Sequence, residues 1–415
     1  MSVTIPAGIV GLRGQCLQQL LVEEEGRRLV IQCRRDSRIA PIDHRTRQRG
    51  RPNRRLRRRI YDLPLMGRPL ALDIEYFEVA VGRSDRRAEH LSFVGPGRRY
   101  THRLETLVSA LCRHMSLSAV ARMTGLAWRT VKDMDCSHLE GTLPALNPRD
   151  ITGVRVLGVD EVARAKGQTY VTVVYDLDSG DLLWVGDGKN AESLAVFLAE
   201  LPQETVDGIE AVAMDMGPAF QAAVRAQLPN ATIVFDRFHV MKLYSDLIRN
   251  VRKSEFRKAD VEGKQVIKGS LYLLLGNKQR LDESGVQRLE ALMQANQTLS
   301  TVYTLKEQLQ ALWSIPDEAA MRQALNQWCA LARATSIKPL HAYANMLENH
   351  ANGICAYARF KITTARIEAG NVAIGMIRKR ARGLLDQHYF KLKIRQTAVP
   401  EPRLALFPAL RPTPT

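Results

Sequence analysis

Two aspartates stand where aspartates are costly. The apolar run 154–161 (VRVLGVDE) carries Asp160 and the run 209–217 (IEAVAMDMG) carries Asp215. Each is a short stretch of Val, Ile, Leu, Ala and Met, the pattern of a strand covered on both faces, and each is expected to deliver one carboxylate at its C-terminal end. Carboxylates brought to one sheet edge repel each other unless a cation or a proton lies between them, so the pattern points to a metal site. Each Asp also has an ordinary reading, as the opener of a turn or the cap of the next helix. A third strand, within 231–243 (ATIVFDRFHVMKL), ends at Asp236 and leads into a helix bearing His239. Asp236 is expected at the same edge, either as part of the site or as an N-cap. Further on, Glu368 opens a helix with Asn371 one turn beyond. An acid there is also favoured by the helix dipole.

These groups need a sheet to converge. Residues 168–188 read as two strands joined by the turn Asp178-Ser179-Gly180, and 191–204 has helical apolar spacing. The resulting order is strand, strand, strand, helix, strand, which resembles a ribonuclease-H-like domain with acids on its first and fourth strands. From 246 to about 360 amphipathic helical stretches dominate, and Trp313 and Trp328 fall at core spacing.

With 415 residues, 45% of them hydrophobic, the chain supports two or three domains. A net charge of +17 and a pI near 9.8 point to a polyanionic partner. The six cysteines are scattered without a C-x-x-C pair, which suits a reducing cytoplasm better than disulfides or a zinc site. Neither a membrane span nor an export signal is expected.

The charge is concentrated. Residues 34–59 hold twelve arginines, no lysine and two acids. Gly50, Pro52 and Asn53 argue against a helix, so an extended or looped basic arm is expected, with Arg54, Arg55, Arg57 and Arg58 as phosphate contacts. Residues 61–81 alternate apolar and polar around Gly67-Arg68-Pro69, as in a β-hairpin. Within 117–135 an apolar helix ends at Thr124-Gly125, and a second helix begins with Trp128, Arg129, Thr130 and Lys132. This is a helix-turn-helix pattern, expected to place those four side chains on DNA. A structural helical hairpin gives the same pattern.

Four motifs in order, LGVDE at 157–161, AMDMGPAF at 213–220, DRFHVMKL at 236–243 and TTARIEAGNVAIGMIRKRARG at 363–383, resemble those of insertion-sequence transposases of the ISL3 group. The resemblance spans about residues 55–395. It implies Asp160, Asp215 and Glu368 as catalytic and metal-binding acids, with Mg2+ or Mn2+, two ions, as cofactor. It also implies DNA as partner (the element's terminal inverted repeats and target DNA), self-association in the DNA complex, and a place in the bacterial cytoplasm at the nucleoid. Asp236, His239 and Asn371 are expected as active-site neighbours. Such relatives usually begin with a cysteine zinc ribbon, whereas only Cys33 and His44 stand in that region here.

The expected fold is therefore α/β. A ribonuclease-H-like catalytic domain (151–395) carries a large all-helical insertion over about 246–360. It is preceded by a basic arm (1–60) and a small β/helix-turn-helix DNA-binding region (61–150), and followed by a tail (396–415). The expected activity is DNA cleavage and strand transfer. The alternatives are a transposase-derived DNA-binding protein without catalysis and a nuclease acting on RNA or junctions.

Overall fold

Exposed arginines interrupted by the half-buried Leu56 and followed by the buried Ile60 make an edge strand of a segment that composition alone presents as an arm. A computed structural model describes residues 11–23, 27–81, 85–165, 169–188, 191–362, 365–381 and 385–400; the tail beyond 400 lies outside the described residues. Five strands form the first sheet: β1 (Gln15–Glu23), β2 (Arg28–Arg35), β3 (Arg51–Leu65), β4 (Arg68–Val81) and β5 (Asp85–Ala88), with β1-β2-β4-β3 in order and β5 pairing with β4. The expected hairpin is β3–β4. Its turn is Met66-Gly67, both with positive φ (49° and 72°), as a two-residue turn between twisted strands requires. The basic arm is thus corrected: eight of its twelve arginines lie on strands β2 and β3, and residues 36–50 connect the two. Arg54 pairs with Glu78, Arg57 with Glu75, and Arg59 with Glu23 and Asp73. Arg35 is buried in the sheet on Glu89.

Three helices follow: α1 (His102–His114), α2 (Leu117–Thr124) and α3 (Trp128–Thr142). Thr101 caps α1 and Ser116 caps α2, each accepting from a backbone amide, and Gly125 ends α2 in the left-handed region. Leu104, Val108, Cys112, Val120, Val131 and Met134 close their core.

The second sheet has the order β10-β9-β6-β7-β8, from β6 (Val156–Ala165), β7 (Thr169–Asp176), β8 (Leu182–Asp187), β9 (Ala211–Met214) and β10 (Thr232–Phe235). The first three strands are antiparallel, while β9 runs parallel to β6 and β10 parallel to β9. The stretch 191–204 divides into α4 (Ala191–Ala199) and α5 (Gln203–Gly208), with Pro202 capping the second. Then α6 (Pro218–Gln227) separates β9 from β10. After β10 the described chain is helical: α7 (Arg237–Lys258), α8 (Val261–Ile267), α9 (Leu271–Leu275), α10 (Glu283–Ala295), α11 (Gln297–Leu312), α12 (Glu318–Ala334), α13 (Lys338–Asn349), α14 (Ala351–Phe360), α15 (Ala365–Ala381) and α16 (Gln387–Ala398). One apolar core runs from the sheet into these helices and takes in Trp313 and Trp328. Among the described residues no helix is long and apolar enough to cross a membrane.

The chain divides into two units, one of residues 1–144 with 379–415 and one of residues 145–378. This moves a boundary: residues 379–395, expected in the catalytic domain, belong with the N-terminal unit. The reason is a buried polar knot. Asp135 on α3 is fully buried and accepts from Ser109 Oγ (2.6 Å), Tyr389 OH (2.5 Å) and Lys393 Nζ (3.0 Å). Two of those donors come from α16.

Candidate active site and DNA-reading helix

The register of β6 against β9 brings the two aspartates to neighbouring positions. Gly158 pairs with Ala213, and two residues further along each chain stand Asp160 and Asp215. Asp215 lies just past the end of β9. Asp160, expected at a strand end, sits inside β6, because β6 runs on to pair with β7 as far as Ala165 after its pairing with β9 has stopped. The carboxylate therefore emerges where one neighbouring strand leaves the sheet.

Asp160 Oδ1 accepts from the Glu161 amide (2.7 Å) and Oδ2 from Asn371 Nδ2 (2.5 Å). Burial raises its carboxyl above the usual carboxylate range and the Asp215 charge acts the same way, while Asn371, the Glu161 amide and His239 oppose. Asp215 Oδ1 accepts from the Gly217 amide (2.9 Å), so it does open a turn. Asp236 caps α7 through the Phe238 amide (2.9 Å) and also holds His239 Nδ1 at 2.9 Å. That bond, followed by the charges of Asp160, Asp236 and Asp215, raises the His239 pKa against the effect of burial. Asp160, Asp215, Asp236, His239 and Asn371 thus share one electrostatic neighbourhood.

Glu368 is not joined to it by a direct contact. It is exposed in the first turn of α15, one turn before Asn371. Among the described residues the three acids do not bring ligand atoms within 4.8 Å of one another. The donor set nevertheless suits a hard divalent cation, being all oxygen apart from His239. The buried Asn371 Oδ1 has no hydrogen-bond partner, an acceptor left for such an ion or its water shell.

Two glycines within the motifs 157–161 and 363–383, Gly158 and Gly370, bring α15 onto the sheet. A Cβ at Gly158 would stand 2.6 Å from Leu177 Cδ2 and 2.7 Å from Ile367 Cδ1, and one at Gly370 would collide with the Tyr175 hydroxyl. Tyr175 is itself pushed up to about 12 by burial and the Asp160 charge. A glycine inside an apolar strand is the signal that marks Gly158 in the sequence.

On α3, Trp128 and Arg129 are exposed and Thr130 half-buried. Lys132, expected on DNA, forms an ion pair with Asp386. Its ammonium is committed within the unit. On the exposed edge strand β3, Arg55 stacks over Phe77 and Arg58 over Tyr76, beside the paired Arg54 and Arg57.

A family model described as a transposase, of the ISL3 group, matches residues 157–394, and a model for the helix-turn-helix domain of transposase family ISL3 matches residues 89–135. The transposase for insertion sequence element IS1001 of Bordetella parapertussis is 36% identical over 343 residues, 81% of this chain and 84% of that protein. The transposase for insertion sequence element IS1557 of Mycobacterium tuberculosis is 25% identical over 307 residues, 68% of each. The catalytic core domain of BIV integrase aligns with 35% of this chain and 98% of its own at 17% identity and a TM-score of 0.17, too low to bear on the fold. On the matched models and the 36% identity to the first of these relatives, the chain belongs to the ISL3 family of transposases.

Proposed function

We propose that this transposase binds the terminal inverted repeats of its insertion sequence and catalyses divalent-metal-dependent cleavage and strand transfer, with Asp160, Asp215 and Glu368 as the metal-binding acids. The observation that carries the reading is the β6–β9 register, which sets Asp160 beside Asp215 in a buried, negatively charged neighbourhood where His239 is the cationic group acting on Asp160. In this reading the sheet with its helices is a ribonuclease-H-like domain, and α7 to α14 are a helical insertion before the segment that carries Glu368. Bound there, two Mg2+ or Mn2+ ions would supply Lewis acidity for in-line phosphoryl transfer.

The chain's own residues orient the acids. Asn371 and the Glu161 amide fix both oxygens of Asp160, and the turn at Gly217 fixes Asp215. Glu368 completes the set through a small movement of the first turn of α15. Water attacks the phosphodiester at the element end and releases a 3′ hydroxyl; that hydroxyl then attacks a phosphodiester of target DNA, forming a new bond to its phosphorus and displacing a target 3′ hydroxyl. No covalent protein–DNA intermediate is needed. Trp128, Arg129 and Thr130 meet base edges, with Lys132 acting through Asp386 to hold α3. Arg54, Arg55, Arg57 and Arg58 meet phosphates. Two element ends imply self-association on DNA at the nucleoid.

The test is cleavage of DNA bearing the element's own ends, with Mg2+ or Mn2+, by the wild type and by Asp160→Ala, Asp215→Ala and Glu368→Ala. Each substitution abolishes cleavage and leaves end-binding in place. Near-normal cleavage by one of them removes that residue from the site. A wild type that binds ends and never cuts them leaves the DNA-binding reading without catalysis.

A further inference from the structure

The scattered cysteines gave no zinc motif, yet the fold assembles a mixed set of ligands in the N-terminal unit. Cys136 and Glu140 are four residues apart on α3 and so share a face, and α16 brings His388 to them. Cys136 Sγ lies 3.6 Å from Glu140 Oε1, and His388 Nε2 lies 2.7 Å from the same oxygen. Among the described residues this is the one group of three Cys, His, Asp or Glu side chains whose ligand atoms all lie within 4.8 Å of one another.

Those separations approach the edges of a tetrahedron. With about 2.3 Å to sulfur and about 2.0 Å to nitrogen or oxygen, neighbouring ligands around a zinc ion stand about 3.3 to 3.6 Å apart. The sulfur–oxygen edge already has that length. The nitrogen–oxygen edge must open by about half an ångström, which two exposed side chains accommodate. One sulfur, one imidazole nitrogen and one carboxylate oxygen are a borderline-soft set, matched to zinc and mismatched to Mg2+. Lys132, a turn earlier on α3, is paired with Asp386, which offsets its opposition to a cation.

We infer that Cys136, Glu140 and His388 form a zinc site, with solvent water as the fourth ligand, that staples the C-terminal half of α3 to α16. Binding sends the thiol proton of Cys136 to solvent, takes the proton off His388 Nε2 so that the ring ligates as neutral imidazole protonated at Nδ1, and converts a surface hydrogen-bonded pair beside a cysteine into a three-point crosslink. The crosslink lies along the same helix that begins with Trp128 and Arg129, so it fixes the DNA-reading end against the rest of its unit.

Co2+ serves as the spectroscopic stand-in. Full-length protein stripped of metal and returned to Mg2+ buffer is titrated with Co2+ and then with Zn2+. The expected result is thiolate-to-cobalt charge transfer with the intense visible bands of a tetrahedral ion, displaced by Zn2+. Cys136→Ser removes the charge-transfer band. His388→Gln and Glu140→Gln, both on exposed side chains, each weaken Co2+ binding by about tenfold or more, and zinc raises the thermal transition of the wild type but not that of His388→Gln. Absence of the charge-transfer band, or its survival in Cys136→Ser, overturns the inference. If Cys136→Ser folds poorly, unchanged Co2+ affinity in both exposed variants overturns it equally.

Discussion

The two charge clusters of this protein are handled in opposite ways. On the first sheet Arg35, Arg54, Arg57 and Arg59 are answered on the spot, by Glu89, by Glu78, by Glu75, and by Asp73 with Glu23. Around Asp160 negative charge is gathered and left short of cations, with His239 and the neutral Asn371 in partial compensation. Part of the denser charge in the sequence is thus neutralised pair by pair in the fold. What marks a site for chemistry is charge that burial makes costly and that its neighbours relieve only in part.

Neutralising the second cluster has the largest expected effect. Asp160→Asn lowers cleavage by about a thousandfold or more while raising the thermal transition of the metal-free protein at neutral pH. The sign follows from the raised carboxyl. A group whose pKa is higher in the folded state contributes stability fully present below its unfolded pKa and lost as pH rises through the folded value. At neutral pH the wild type carries that loss and the Asn variant does not, so the difference in melting temperature shrinks on acidification. A variant no more stable than wild type at neutral pH would contradict the picture of a strained acid.

Breaking the buried pair in the other unit comes next. Lys393→Ala leaves the fully buried Asp135 without its ammonium partner, at a cost of about 3 to 5 kcal/mol measured by denaturant unfolding. A loss under about 1 kcal/mol would show that Ser109 and Tyr389 suffice.

Gly370→Ala tests whether α15 must lie directly on the sheet. Pushed off Tyr175, Asn371 and Glu368 shift together, and cleavage falls by about ten- to a hundredfold with DNA binding unchanged. Adding Tyr175→Phe removes the hydroxyl in the way and restores part of the rate. No restoration would mean that helix propensity or some other contact, not clearance, governs the position.

Arg129→Ala narrows the preference for element ends over random DNA by about tenfold, read from paired binding titrations. Equal loss on both DNAs makes Arg129 a phosphate contact. Smallest of all, Arg55→Gln reduces the slope of binding against salt by about one unit. Arg57→Gln, whose arginine already answers Glu75, reduces it less. Equal slopes for the two would erase the distinction between answered and unanswered arginines.

What the sequence makes legible follows the range of the interactions. Apolar runs disclose β6, β9 and β10, because a doubly covered strand writes its burial into consecutive residues. Asp160 was misplaced to a strand end because the continuation of β6 depends on β7, whose pairing to Glu161 and Val162 no local pattern states. Beyond the β3–β4 hairpin, the first sheet is not legible for a similar reason. The parallel pairing of β2 with β4 joins residues some forty positions apart, and six arginines among the fifteen residues of β3 look in isolation like a solvated arm. The Gly125 turn, by contrast, is a local necessity of φ and was readable. Lys132 and α16 were misassigned together, since only the fold shows that Asp386, Tyr389 and Lys393 answer α3.

The split of the N-terminal unit into 1–144 and 379–415 bears on how the protein is made. A ribosome delivers α1, α2 and α3 early, with Asp135 still lacking Tyr389 and Lys393, and delivers α16 last. The unit of 1–144 and 379–415 therefore starts first and gains α16 only after the whole stretch 145–378 has been synthesised. Until α16 emerges, Asp135 keeps only Ser109 of its three donors, so a product cut short before α16 would lack that support for α3 even if every residue of the helix-turn-helix were present.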